Sequence, residues 1–157
     1  MNRLLLPVTF SALVAASAAF AQDPLPARMH PAKTDDRAAA INSIQAQLKA
    51  FGRDDYKTAV TYQSAGLKGN FPSTEAFRSM MVRAYPEFAH SKAVTFGPAQ
   101  SDAMGTHLVI LTTITGQDGV KVRAIYMMVR EGKIYRVEGV ADSRSRLLEN
   151  TGPLKDV

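Results

Sequence analysis

The chain has 157 residues, a formal net charge of +5 and no cysteine, which excludes disulfides and thiolate metal sites and suits one domain with its own core. Its 19 Lys and Arg residues are scattered among helices, turns and strands and form no basic run, so a nucleic-acid role has no support. No P-loop, nucleophile elbow or His-Glu-x-x-His motif occurs, and those chemistries are disfavoured with it.

The N-terminus has Arg3, an apolar run from Leu4 to Phe20 broken by Pro7, and Ala19-Phe20-Ala21 before Gln22. These are the three parts of a secretory signal peptide, so residues 1–21 are expected to be cleaved after Ala21. The run is short and rich in small residues for an anchor, and no cysteine follows it to carry a lipid. A soluble periplasmic protein with no stable membrane insertion is expected, since export without cysteines suits that compartment.

Residues 22–34 hold three prolines and no apolar periodicity, which predicts a mobile lead-in with His30 as a solvated residue. The domain is expected over residues 35–142. Thr34, Asp35 and Asp36 supply a cap and first-turn acids for a first helix, in which Ile41, Ile44, Leu48 and Phe51 stand at helical spacing and which Gly52 ends. Asp54-Asp55 offers a cap for a shorter second helix through Tyr56, Ala59, Val60 and Gln63, stopped near Gly66. Ser73 or Thr74 caps a third, with Phe77, Met80, Met81 and Ala84 on one face and Pro86 ending it after Tyr85.

Strands follow. Lys92 to Phe96 alternates, Gly97-Pro98 breaks it, and Ala99 to Met104 resumes as an edge. Thr106 to Thr115, Val120 to Arg130 and Ile134 to Ala141 form a meander joined at Gly116-Gln117-Asp118-Gly119 and Glu131-Gly132. A Glu131-Gly132 turn pairs Met128 with Tyr135 and Tyr126 with Val137. A first loop of two or four residues pairs Thr113 with Val122 and Val109 with Tyr126, whereas a three-residue loop would flip the faces. With the even loop, Phe77, Met80, Met81 and Ala84 are expected to cover Val109, Leu111, Ala124, Tyr126 and Val137. The other face would carry Leu108, Ile110, Ile114, Arg123, Ile125, Met127, Val129, Ile134, Arg136 and Glu138. Residues 143–157 read as a tail. The fold class is α+β: three N-terminal helices packed on a curved antiparallel sheet, with a hollow between the layers.

Four stretches carry a resemblance: Gly52-Arg53-Asp54-Asp55-Tyr56, Phe71-Pro72-Ser73-Thr74-Glu75-Ala76-Phe77, Met80-Met81-Val82-Arg83-Ala84-Tyr85-Pro86, and Gly132-Lys133-Ile134-Tyr135-Arg136-Val137-Glu138-Gly139-Val140. Through them the chain resembles, over Asp36 to Asp142, the bacterial family of domain of unknown function 4864. That family in turn is similar to the nuclear transport factor 2-like superfamily. The resemblance implies a cone of helices against a strongly curved sheet, commonly dimeric, and no particular activity, because isomerases, dehydratases and noncatalytic binders share that cone.

Candidate ligand-binding residues are Arg123, Arg136 and Glu138 on one sheet face and His107, Tyr126 and Tyr135 on the other. An isomerase needs a pocket carboxylate as base, but Glu138 beside Arg123 and Arg136 reads as an ionised, paired acid. His107 has no identifiable catalytic partner, and His90 follows a helix end whose dipole it complements. Met80, Met81, Met127 and Met128 fill a core or line an adaptable pocket. No cofactor and no metal is called for. The reading is a noncatalytic exported module that binds a small apolar or anionic ligand, or a protein partner. A small isomerase- or lyase-type enzyme using the hollow is the alternative. A homodimer through the second face is expected, since its apolar residues form one exposed patch.

Overall fold

The computed structural model describes residues 28–143. The expected signal peptide, most of the lead-in and the tail beyond residue 143 lie outside the described residues.

Helix α1, Thr34–Gly52, has Lys33 at its cap position with no side-chain cap, so Thr34 is the first helical residue and Asp35 and Asp36 complement the first-turn N–H groups electrostatically. Its buried face is Ala40, Ser43, Ile44, Gln47, Leu48, Ala50 and Phe51. The turn that leaves it falls on Asp54 with φ 57°, a backbone that Asp tolerates better than most residues. Asp55 caps α2, Tyr56–Ala59, by accepting the Thr58 N–H at 3.0 Å, and a 3-10 turn over Val60–Tyr62 follows.

The expected run to Gly66 stops at Gln63, which is extended and forms a parallel bridge with Val137. Ser64 then starts α3, Ala65–Gly69, its Oγ accepting the Leu67 N–H at 3.1 Å. Helix α4, Thr74–Ala84, is capped by Ser73 as its sequence predicts. Pro86 stands at the first position of a further turn, α5, Pro86–Ala89, where its missing N–H is not needed.

The strands are β1 (His30–Pro31), β2 (Ser91–Ser101), β3 (His107–Gly116), β4 (Lys121–Glu131) and β5 (Ile134–Asp142), in one curved open antiparallel sheet of order β1-β2-β3-β4-β5. His30 and Pro31 pair with Ser101 and Gln100, so this end of the expected mobile lead-in is tied to the sheet edge, with Ala32 N donating to Ala99 O at 3.0 Å. Gly97 and Pro98 do not end a strand. They form a bulge within β2, the carbonyls of Phe96 and Gly97 accepting from Arg37 Nη2 at 3.3 and 3.1 Å.

Both hairpin registers differ from the expected ones. The β3–β4 loop is the three-residue Gln117-Asp118-Gly119, closed by Gly116 N to Val120 O at 2.8 Å, with Gly119 at φ 84°. That odd count flips β3 against β4: Ile110 pairs with Tyr126 and Thr112 with Ala124. Leu108, Ile110 and Ile114 are therefore wholly buried under the helices, and Val109 and Leu111 take their place on the outer face, each half-buried. The β4–β5 turn is Gly132-Lys133, with Gly132 at φ 65° as the first central residue, so Met128 pairs with Val137 and Arg130 with Tyr135. This two-residue displacement leaves Tyr135 and Val137 facing inward as expected.

A second irregularity lies within β5. Between Met128–Val137 and Met127–Gly139 the strand carries one extra residue, Glu138. Beyond it the alternation is reversed: Gly139 lies opposite Met127, where a Cβ would meet Met127 Cε at 2.8 Å, while Val140 and Asp142 turn toward the helices.

Candidate functional site

Between the helices and the inner sheet face lies a cavity of about 340 Å³. Its sheet side is Tyr126 from β4 with Val137, Val140 and Asp142 from β5; the last two face it because β5 takes up Glu138 as a bulge and does not pair it in the ladder. Its helical side starts with Gln47 and Phe51 of α1, Gln63 and Leu67. Phe71, the α4 residues Phe77, Met80 and Met81, and then Tyr85 and Phe88 complete it. The rings brace one another: Phe71 and Phe77 stand edge-on at 4.9 Å, Phe51 lies 5.9 Å from Phe77, and Phe88 lies 6.5 Å from Tyr126.

Few polar groups reach this wall. Gln47 donates its Nε2 to Ala59 O at 3.3 Å and so ties α1 to α2. Gln63 is 1% exposed and its Nε2 has no hydrogen-bond partner. Asp142 is 5% exposed and is itself engaged. Burial pushes the Tyr126 phenol far above its ordinary value and keeps it neutral. Among the described residues no Lys, Arg or His lines the cavity.

The sequence candidates do not converge here. Tyr126 is in the cavity. Tyr135 is on the same face but serves the other end of the molecule, where its hydroxyl donates to Gly105 O at 2.5 Å and accepts from Arg130 Nη2 at 2.7 Å. Arg130 also pairs with Asp36 Oδ1 at 2.5 Å, so this group fastens the start of α1 to the sheet. The hydrogen bond from Arg130 to the Tyr135 hydroxyl raises the guanidinium's affinity for its proton, against the pull of burial.

Arg123 and Glu138 are exposed, and Arg136 is paired with Glu131 at 2.9 Å and donates to Thr61 O. His107 is exposed with its Nδ1 3.2 Å from Asp102 Oδ2. Burial works against the Asp102 carboxylate, but bonds from the Thr106 N–H and from His107 outweigh it and hold the group below its ordinary range. Among the described residues no three His, Asp or Glu side chains gather as a metal site would require. No described helix is long and apolar enough to cross a membrane.

Gln47, Gln63, Asp142 and the aromatic wall are the residues that sequence reasoning missed. The spacing of Phe77, Met80 and Met81 along α4 was visible, and Gly139 inside a strand pattern is a bulge signal that would have redirected Asp142. Nothing local marks Gln63, whose place depends on its bridge to Val137.

Fold and cavity together define an α+β module with an apolar hollow between its helical and sheet layers. The profile of the family described as Domain of unknown function (DUF4864) matches residues 33–149, and the chain belongs to that family. No curated protein matches it. A protein from Kribbella flavida DSM 17836, known from a crystal structure, is similar at 19% identity over 71% of this chain and 93% of its own, with a TM-score of 0.42.

Proposed function

We propose that this protein is a noncatalytic binding module that takes a small, mainly apolar molecule into the cavity between helices and sheet. The observation that carries the reading is the cavity itself: about 340 Å³, at the small end of the usual range for ligand sites, and walled by aromatic and thioether side chains. An anionic ligand fits this hollow poorly, because Arg123 and Arg136 are elsewhere and, among the described residues, Asp142 is the one charged residue that lines it. The enzyme alternative would recruit Asp142 as base. Asp142 is already engaged and Tyr126 holds its proton too firmly to exchange it, so the pair lacks the poised acid and base that proton transfer needs.

The test is binding of an apolar fluorescent naphthylamine to the purified protein and to Val140→Trp. Val140 is 41% exposed at the cavity's edge, so an indole there can fill the hollow without disturbing the core. Binding should fall at least about tenfold with the thermal midpoint little changed. Undiminished binding by the variant would place the ligand elsewhere.

The setting of this function is also proposed: export to the periplasm with removal of residues 1–21, supported by the Arg3, apolar and Ala-Phe-Ala pattern. A second copy of the chain is proposed on the outer sheet face. Val109 pairs with Met127 and Leu111 with Ile125 there, and with Val129 and Ile134 they make one partly exposed apolar patch flanked by the exposed Arg123 and Glu138, charges of opposite sign that a twofold can bring together.

A further inference from the structure

We infer that the ligand is neutral and carries a hydrogen-bond acceptor, such as a carbonyl or ether oxygen, which meets the Nε2 of Gln63. The inference rests on the binding reading given above and deepens it. A donor shut off from water without a partner is costly to keep, and most buried polar groups are paired for that reason. Gln63 is held in this position by backbone: the residue bridges Val137, and the next N–H, of Ser64, donates to Val137 O at 2.8 Å. The backbone that carries the side chain is therefore fixed to β5, and the side chain lies 1% exposed. Gln63 stands in the cavity wall beside apolar groups, and a half-turn of its amide, which exchanges the two terminal atoms, brings the shielded Nε2 to an acceptor held there.

Charge sets the second half of the specificity. With Asp142 in the wall and no Lys, Arg or His lining it among the described residues, a carboxylate would enter an apolar hollow beside a like charge and with no described counter-ion. A ketone, ester or ether of the same shape meets neither penalty. An amide donor left unpaired in the empty protein and paired in the complex also favours the acceptor over an isosteric hydrocarbon, because the hydrocarbon leaves the donor as it was.

Naphthalenes bearing an acetyl, an isopropyl or a carboxylate group share one body and differ at one point. Their affinities for the mature protein and for Gln63→Leu test the inference. The acetyl compound should bind about tenfold more tightly than the isopropyl one, and the carboxylate most weakly. In Gln63→Leu the acetyl preference should vanish while isopropyl binding persists. The variant without ligand should also melt at a higher temperature, since an unpaired buried donor is removed; a glutamine that merely supports the fold would lower it. Equal binding of acetyl and isopropyl compounds to the unaltered protein would overturn the role of Gln63 and leave the cavity reading standing. Failure of all three to bind would overturn both.

Discussion

Replacing Phe77 by alanine probes the joint between the helical layer and the cavity wall. Phe77 is 5% exposed and touches three rings, with centroids at 4.9 Å from Phe71, 5.9 Å from Phe51 and 6.0 Å from Tyr56. Removing its ring forfeits a transfer term of about 2–3 kcal/mol, and the lost edge-on contacts and the added void bring the total into the range of about 3–5 kcal/mol. Part of its surface already borders open space, so a value near 3 kcal/mol is expected rather than the upper limit. Urea unfolding of the mature protein measures it. With a slope of about 2 kcal/mol per molar, the midpoint should fall by roughly 1.5 M at unchanged slope. A loss under about 0.5 kcal/mol, the usual scale of surface substitutions, would refute the packing of α4 described above.

Two other outcomes follow from the surfaces and the leader. Ile125→Asp puts a charge at the centre of the outer sheet patch, so sedimentation at tens of micromolar, about where a weak homodimer still assembles, should show a dimer for the unaltered chain and a monomer with native circular dichroism for the variant; a monomeric unaltered chain sinks the dimer. N-terminal sequencing of the exported product should begin at Gln22, and a mature chain that keeps Leu4 to Phe20 would refute cleavage.

The helices were readable because their signals are local. Asp55 and Ser73 cap the helices their positions predict, and Phe77 and Met81 face the core at helical spacing. The sheet was readable only up to parity. Tyr126, Met128, Tyr135 and Val137 share the inner face as expected, but whether β3 presents its even or odd residues depends on one residue in the Gln117-Asp118-Gly119 loop, and alternating apolar residues on both faces gave no way to decide. The cavity was legible least of all. Its polar members, Gln63 and Asp142, owe their positions to a bridge between distant segments and to one extra residue in β5, neither of which has a periodic signature.

That extra residue also governs how the end of β5 can vary. Up to Val137 the substitutions that the strand tolerates follow one phase, with odd positions closed to polar side chains. After Glu138 the phase inverts: Gly139 is held small by Met127, and Val140 and Asp142 become the positions where a change of size or charge alters what the hollow accepts. A homologue of the same length whose strand ran on without the bulge, its equivalent of Glu138 pairing opposite Met127, would keep its sheet and its helices, yet it would present Gly139 and Ala141 to the hollow and so enclose a different chemistry within the same architecture. Smoothing out one bulge in this strand is thus a way for such a fold to exchange ligands without remaking its core.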